Sequence, residues 1–108
     1  MGIRKAERGG EATTAFGSIV TASFTTVLGS ASSKLSEVGI LGFTNNTDVD
    51  VLVSDDATNN LLTVPSGSSV VLDLLANSMS FSGVVALKAV GANATSGNFY
   101  SFAVMAKA

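Results

Sequence analysis

With 108 residues the chain has room for a single hydrophobic core, and only 13% of its residues are charged, about half the usual fraction for a soluble domain. It contains neither cysteine nor histidine, which excludes disulfides, zinc–thiolate sites and any Ser-His-Asp or Cys-His mechanism. We therefore predict a protein that is not an enzyme, with no catalytic residues, no cofactor and no metal. The low charge indicates a surface covered by neighbouring subunits or, alternatively, one rich in uncharged Ser, Thr and Asn.

Residues 1–15 differ from the rest because they hold five of the fourteen charges and a Gly9-Gly10 pair. We predict an extended N-terminal arm over residues 1–15, followed by a β-sandwich domain over residues 16–108. The arm has three basic and two acidic residues, too mixed in sign for binding nucleic acid. It is either a disordered tail or a segment that orders on a neighbouring subunit, and we favour the second. The candidate partner contacts are Ile3, Arg4, Lys5, Arg8 and Phe16.

From Phe16 onward, β-branched residues and turn residues alternate in a way that predicts seven short strands. These strands cover approximately residues 18–28, 37–44, 48–54, 61–64, 69–75, 84–90 and 99–107. Turns roughly every 8–12 residues are typical of an antiparallel β-sandwich or a small barrel. The fold class is therefore all-β, and no strong helix candidate is present.

Three of these strands carry specific predictions about which side chains face the core. In the third strand, Val49, Val51 and Val53 alternate with Asp48 and Asp50, so the valines are predicted to face inward. In the second strand the apolar positions change parity between two glycines, which indicates a bulge or burial on both faces. In the seventh strand, the prediction is that Tyr100, Phe102 and Val104 share the inner face.

Two groups of residues invite a binding hypothesis. Asp48, Asp50, Asp55 and Asp56 are close enough in sequence to suggest calcium, but their spacing does not match an EF-hand loop. Turn capping and surface solvation explain them better. Carbohydrate sites usually stack sugars on exposed Trp or Tyr; this chain has no Trp, and its single tyrosine, Tyr100, is predicted to point inward. A carbohydrate-binding module therefore has little support from the sequence.

Three segments carry a resemblance to a known class of protein. Residues 39–56 read GILGFTNNTDVDVLVSDD, residues 62–74 read LTVPSGSSVVLDL, and residues 20–28 read VTASFTTVL. In this order they resemble small structural proteins of tailed bacteriophages, in which a strand leads through an N-x-T-D turn to a strand ending in Ser-Asp. A V-P-x-G-S-S turn then opens a strand ending in LDL. The resemblance spans about residues 18–75 and does not distinguish head, neck and tail proteins.

The resemblance implies a bacteriophage virion structural protein, and our leading hypothesis is a capsid decoration or cement protein that stabilises the particle by binding a repeated surface. The expected partners are copies of the chain in a homo-oligomer and other virion proteins, first of all the major capsid protein. Nucleic acid is not expected as a partner, because the short arm is mixed in charge. A membrane is not expected either, since no signal-peptide core and no run of about 18 apolar residues occurs. The expected location is the virion, assembled in the host cytoplasm. The alternatives are a neck, tail or fibre component, or a carbohydrate- or ligand-binding β-module.

Overall fold

The computed structural model describes residues 5–30, 32–74 and 81–107, and these residues form two antiparallel sheets without an α-helix. The prediction of an all-β sandwich is confirmed. The strands are β1 (Lys5–Ala15), β2 (Thr25–Leu28), β3 (Leu35–Asn45), β4 (Val51–Ser54), β5 (Asn60–Val64), β6 (Ser69–Asp73), β7 (Phe81–Gly83), β8 (Val85–Ala89) and β9 (Asn98–Lys107). A 3-10 turn, Phe16–Ser18, follows β1.

The first sheet has five strands in the order β1-β9-β3-β6, with β7 also pairing with β3. The second has four strands in the order β2-β8-β4-β5. The chain passes from the first sheet to the second between β7 and β8, where the backbone N–H of Val84 donates to the carbonyl of Asp55 at 3.0 Å. The strand predicted over residues 84–90 therefore begins one residue later, as β8, and is preceded by the short strand β7.

The core lies between the two sheets and is built from side chains of most strands. On β3, Val38, Leu41 and Phe43 are buried, and the pairing with β9 shifts register between Val38 and Ile40. The register shift lies where the apolar residues of the sequence change from one set of alternate positions to the other. The predicted bulge is therefore confirmed. On β4, Val51 and Val53 are fully buried, as the alternation predicted. The largest buried side chains are Phe43, Phe99, Ile19, Leu41 and Leu87.

The side chains of β9 face the opposite way from the prediction. Phe99, Ser101 and Ala103 are buried, whereas Tyr100 and Phe102 are each 39% exposed. The prediction that Tyr100, Phe102 and Val104 line the inner face is therefore wrong. These residues lie on the outer surface of the five-stranded sheet.

The reason for this orientation is the size of the neighbours on β3. In the β3–β9 register, Phe43 lies opposite Ser101 and Leu41 lies opposite Ala103. The large β3 side chains fill the interior, and the small β9 side chains fit beside them, which gives a close-packed layer. Aromatic residues at the same β9 positions would overfill that layer.

The first predicted strand is much shorter than expected, since β2 begins only at Thr25. Residues 19–24 are instead held by the loop that follows β8. The carbonyl of Ile19 accepts from the N–H of Ala94 at 3.1 Å, and the N–H of Thr21 donates to Oδ1 of Asn93 at 2.9 Å. Ile19 is fully buried, so this irregular segment closes the core rather than extending a strand.

Residues 5–15 of the predicted arm form β1, which pairs with β9 along its whole length. The segment is extended, and its partner in the structure is a strand of the same chain. Residues 1–4 lie outside the described residues. Docking of this arm on a neighbouring subunit stays a prediction.

Candidate functional site

The Asn-Asn-Thr-Asp motif forms a hydrogen-bonded cluster at one end of the sandwich. Asn45 at its centre has no exposed surface. Its Nδ2 donates to the carbonyls of Val49 and Val64, both at 2.9 Å, and its Oδ1 accepts from the N–H and the hydroxyl of Thr47 at 3.0 and 2.6 Å. All four hydrogen-bonding positions of the amide are therefore used. The motif joins the end of β3 to the end of β5.

The neighbouring aspartates connect two further loops to this cluster through hydrogen bonds. The Asp48 carboxylate accepts from the N–H of Thr95 at 2.9 Å and also from its hydroxyl. The hydrogen bond from the Thr95 hydroxyl is the main cause that lowers the pKa of Asp48. Oδ1 of Asp50 accepts from the N–H of Ser66 at 2.9 Å, in the Pro-Ser-Gly turn. The two segments of the resemblance, residues 39–56 and 62–74, thus meet in one structural unit.

The loop after β4 is organised by a third carboxylate, that of Asp56. It accepts from the N–H and the side-chain amide of Asn59 at 2.7 and 2.8 Å, from the N–H of Thr58 at 2.8 Å, and from the hydroxyl of Ser54 at 2.9 Å. These donors, first of all the backbone N–H of Asn59, hold the pKa of Asp56 far below its ordinary value. The carboxylate caps its own turn.

These contacts show the structural role of three of the four aspartates that suggested a calcium site. Asp48, Asp50 and Asp56 each accept hydrogen bonds from nearby loops, which is the turn-capping interpretation. In the part of the chain that the structure describes, no group of three or more acidic, histidine or cysteine side chains is arranged to hold a metal ion. The hydrogen bonds of these three carboxylates hold the loops in place.

The second prominent feature is the solvent-facing side of the five-stranded sheet, which we call the outer face. The register places its residues in rows that cross the strands. One row contains Thr13, Tyr100, Thr44 and Ser69, and the next contains Glu11, Phe102, Gly42 and Val71. Val104 and Ile40 lie opposite each other in a third row. The outer face therefore has an aromatic and aliphatic centre with polar residues around it.

The aromatic centre depends on Gly42. An added Cβ at this position would lie only 1.9 Å from Cε1 of Phe102, so the phenyl ring occupies the space where a side chain of residue 42 would project. The ring leans across β3 and remains 39% exposed. Farther along the sheet, Val71 on β6 is 63% exposed, which is high for a β-branched apolar residue.

A shallow groove of about 370 Å³ lies over β1, β9 and the end of β3. Its size falls within the range of small-molecule sites. Thr44 lies at its rim, where its hydroxyl shares a hydrogen bond with the hydroxyl of Ser69 at 2.9 Å. The lining residues are Glu11, Ala12, Thr13, Thr44, Tyr100, Ser101 and Phe102. The groove combines two aromatic rings with hydroxyl and carboxylate groups.

Of the five predicted partner contacts, the structure describes Lys5, Arg8 and Phe16. Ile3 and Arg4 lie outside the described residues. Lys5 and Arg8 lie on β1 opposite Lys107 and Val104. Phe16 is 41% exposed, in the 3-10 turn at the other end of β1. An 11-residue strand separates Lys5 from Phe16, a distance of roughly 35 Å.

The sequence did not predict the outer face, because β9 has apolar residues at both its odd-numbered and its even-numbered positions. Residues 98–105 read NFYSFAVM, in which either alternate set is able to face a core. The distinguishing signal was Gly42 in β3. Gly42 leaves space on the outer side of the sheet, and that space accommodates Phe102.

Comparison of the chain with models of known protein families, with curated proteins and with solved structures gave no match. Among the residues that the structure describes, no helix has the length and apolar character needed to cross a membrane.

Proposed function

We propose that this chain is a non-catalytic structural protein of a tailed-bacteriophage virion, and specifically a decoration or cement protein of the capsid. The resemblance over residues 18–75 supports the proposal. So does the hydrogen-bonded cluster, which joins three loops at one end of the sandwich. A rigid, weakly charged β-domain suits a protein that adds cohesion to a repeated surface.

The observation that carries the proposal is the position of β6 at one edge of the five-stranded sheet in the described part of the chain. The five residues of β6, Ser69–Asp73, contain one charge and no proline, and their register with β3 runs without a bulge. Within the described ranges no strand pairs with the other side of β6. Soluble monomers usually protect such an edge with lysine, proline or a bulge, because unpaired N–H and C=O groups attract another strand. Exposed Val71 adds apolar surface beside it.

The opposite edge of the same sheet is built differently. β1 carries four charged residues between Lys5 and Glu11, and its pairing with β9 shifts register between Arg8 and Gly10. Charges and bulges of this kind discourage strand addition. We therefore assign the principal contact with a neighbouring virion protein to the β6 edge.

A contact through one short strand is small compared with a standard interface of about 800 Å² per partner. Each copy then binds weakly by itself. Many copies on a regular lattice reinforce one another, because neighbouring contacts raise the effective concentration. A weak contact that is reinforced by many copies fits decoration of a repeated surface better than a single stable heterodimer.

Mass spectrometry of virions purified from the phage that encodes the chain tests the proposal. We expect the chain among the virion proteins, at a copy number close to that of the major capsid protein or a simple fraction of it. A copy number of about six to twenty, typical of small closed rings, would assign it to the neck or tail instead. Absence from the purified particle would reject a virion role.

A further inference from the structure

We propose that β6 pairs with the β6 strand of a second copy of the chain, in the antiparallel direction and with Val71 on the two-fold axis. The inference rests on the proposed function, which assigns the contact with a neighbouring virion protein to this edge, and it identifies that neighbour as another copy. Pairing in this way joins the five-stranded sheets of the two copies into one continuous sheet.

The hydrogen bonds at both ends of β6 show which backbone groups point toward the edge. The N–H of Asn45 donates to the carbonyl of Ser68 at 2.9 Å, and the N–H of Leu74 donates to the carbonyl of Gly39 at 2.8 Å. The register between β3 and β6 is uninterrupted between these two bonds. Since hydrogen-bonded and non-hydrogen-bonded positions alternate along an antiparallel pair, the even-numbered residues of β6 bond β3. The N–H and C=O of Val71 therefore point away from β3.

This alternation selects the register of a second β6 strand. When Val71 lies opposite Val71 of the second copy, the two residues exchange two backbone hydrogen bonds, one in each direction. In the same register Ser69 lies opposite Asp73 of the second copy, so each of the five residues of β6 has an opposite residue. Registers centred one residue away in either direction pair fewer residues.

The charge of β6 is compatible with a second copy in this register. Its one charged residue, Asp73, lies opposite a serine and not opposite Asp73 of the second copy. The two carboxylates are then separated by four positions along the strands, roughly 13 Å. Like charges that lie directly opposite each other destabilise a strand pair, and this register avoids that arrangement.

The apolar side chains of β6 also favour a second copy. Val70 and Leu72 pack against the core but are only partly buried at this edge. In the paired strands Val70 lies opposite Leu72 of the second copy, at a non-hydrogen-bonded position where the Cα atoms are about 4.5 Å apart. Apolar cross-strand pairs at this spacing stabilise a sheet. On the outer face Val71, which is 63% exposed, meets Val71 of the second copy.

The symmetry of the contact predicts the species in solution. A two-fold contact uses the same surface on both copies, so it closes at the dimer and does not extend into a fibre. One strand from each copy is a small contact, and the dimer is therefore in equilibrium with the monomer in dilute solution. On a particle, neighbouring copies are held close together and the same pairing becomes favourable.

The absence of cysteine from the chain makes the contact testable by disulfide formation. In a Val71→Cys variant the two Cα atoms across the axis are about 5.5 Å apart, a distance that a disulfide spans. Val90→Cys is the matched control, since Val90 is exposed but lies in the loop after β8. We expect Val71→Cys to form covalent dimers about tenfold faster under mild oxidation, because pairing raises the effective concentration of the two thiols. Non-reducing electrophoresis measures the rates, and circular dichroism confirms that both variants are folded.

Two further variants test the register. Ser69→Cys and Asp73→Cys lie opposite each other in the proposed pairing, so an equimolar mixture should form the mixed disulfide in preference to either homodimer. Intact-mass spectrometry distinguishes the three products. In the wild-type chain, hydrogen exchange followed by NMR should show the N–H of Val71 becoming more protected as the protein concentration rises. The N–H of Val70, which points toward β3, should exchange at the same rate throughout.

Three results would overturn the inference. Equal oxidation rates for Val71→Cys and Val90→Cys would reject the pairing, and homodimers as abundant as the mixed disulfide would reject its register. Protection of the Val71 N–H by virions that lack the chain, but not by the chain itself, would assign the edge to another virion protein. The oxidation experiments use the purified chain, so their failure is separable from that of the proposed function. A chain found in virions but without the Val71→Cys dimer would retain the virion role and lose the pairing.

Discussion

At the residue scale, Asn45 does the most to define the loops at one end of the sandwich. It is fully buried, and its side chain satisfies backbone groups at the end of β5 and in the turn after β3. A buried polar network stabilises a fold when every member is paired, and it destabilises the fold when one member is lost. The side chain of Asn45 therefore holds the surrounding loops together through its hydrogen bonds.

We expect Asn45→Ala to lower the free energy of unfolding by about 3 kcal/mol or more, since the carbonyls of Val49 and Val64 and the N–H of Thr47 each lose a partner. Asn46→Ala is the matched control; Asn46 is exposed, and its replacement should change stability by less than about 0.5 kcal/mol. Urea denaturation followed by circular dichroism measures both. Equal losses in the two variants would contradict this role for Asn45.

Two aspartates make stability depend on pH. The pKa values of Asp48 and Asp56 are lower in the folded chain than the ordinary value of 3.8, because each carboxylate accepts several hydrogen bonds. Their contribution is fully present above about pH 4 and is lost as the pH falls below that value. Thermal melting at pH 7 and at about pH 2.5 should show this loss in the wild type.

The Asp48→Asn, Asp56→Asn double variant should be less stable than the wild type at pH 7, because asparagine lacks the charge that strengthens these hydrogen bonds. Its melting temperature should fall less between the two pH values than that of the wild type. A fall as large as in the wild type would assign the acid sensitivity to other groups.

At the scale of single elements, the strands differ in how far their sequence determines them. The alternation in β4 has only one apolar parity, so its inward set, Val51 and Val53, was predictable. Strand β9 has apolar residues at both sets of alternate positions. Its orientation follows from the large side chains of β3, which lie in another part of the chain. Local alternation does not include that information.

The inward orientation of β9 leaves one unusual group in the core. Among the buried side-chain nitrogen and oxygen atoms of the described residues, Oγ of Ser101 is the one that lacks a hydrogen-bond partner. We expect Ser101→Ala to leave stability unchanged or to raise it by up to about 1 kcal/mol, because it removes a desolvated hydroxyl and leaves almost no cavity.

Ser54→Ala provides the comparison, since Ser54 is equally buried but its hydroxyl donates to Asp56 at 2.9 Å and accepts from the N–H of the same residue. That variant should lose about 1 kcal/mol or more. Urea denaturation of both variants checks the contrast. If Ser101→Ala proved the more destabilising of the two, the hydroxyl of Ser101 would have a partner in solution.

The sites show the same limit of sequence-based prediction as the strands. Composition excluded histidine- and cysteine-based chemistry, and the sequence predicted a turn at the Asn-Asn-Thr-Asp motif. Their joint cluster was not predictable, because Asp48 and Thr95 are separated by 47 residues. The groove also depends on residues from three strands, so no local pattern contained it.

At the scale of the whole molecule, we expect the edge strand β6 to govern self-association and particle binding. We expect Val71→Lys to abolish binding to virions that lack the chain, because a charge beside an edge strand opposes strand addition. Val90→Lys is the control, since Val90 is also exposed but lies in the loop after β8. Co-sedimentation with the particles measures binding. Binding by both variants at wild-type strength would assign the contact to another surface.

The position of β9 between β1 and β3 also has a consequence for biosynthesis. Strand β1 pairs with β9, in a register that joins Lys5 to Lys107, so the five-stranded sheet cannot be completed until β9 has been synthesised. Until then β1 and β3 lack their shared neighbour, and the nascent polypeptide carries unpaired strands. Folding of this sheet is therefore dominated by pairings between residues that are distant in sequence, which makes it slow in comparison with helical domains of similar length.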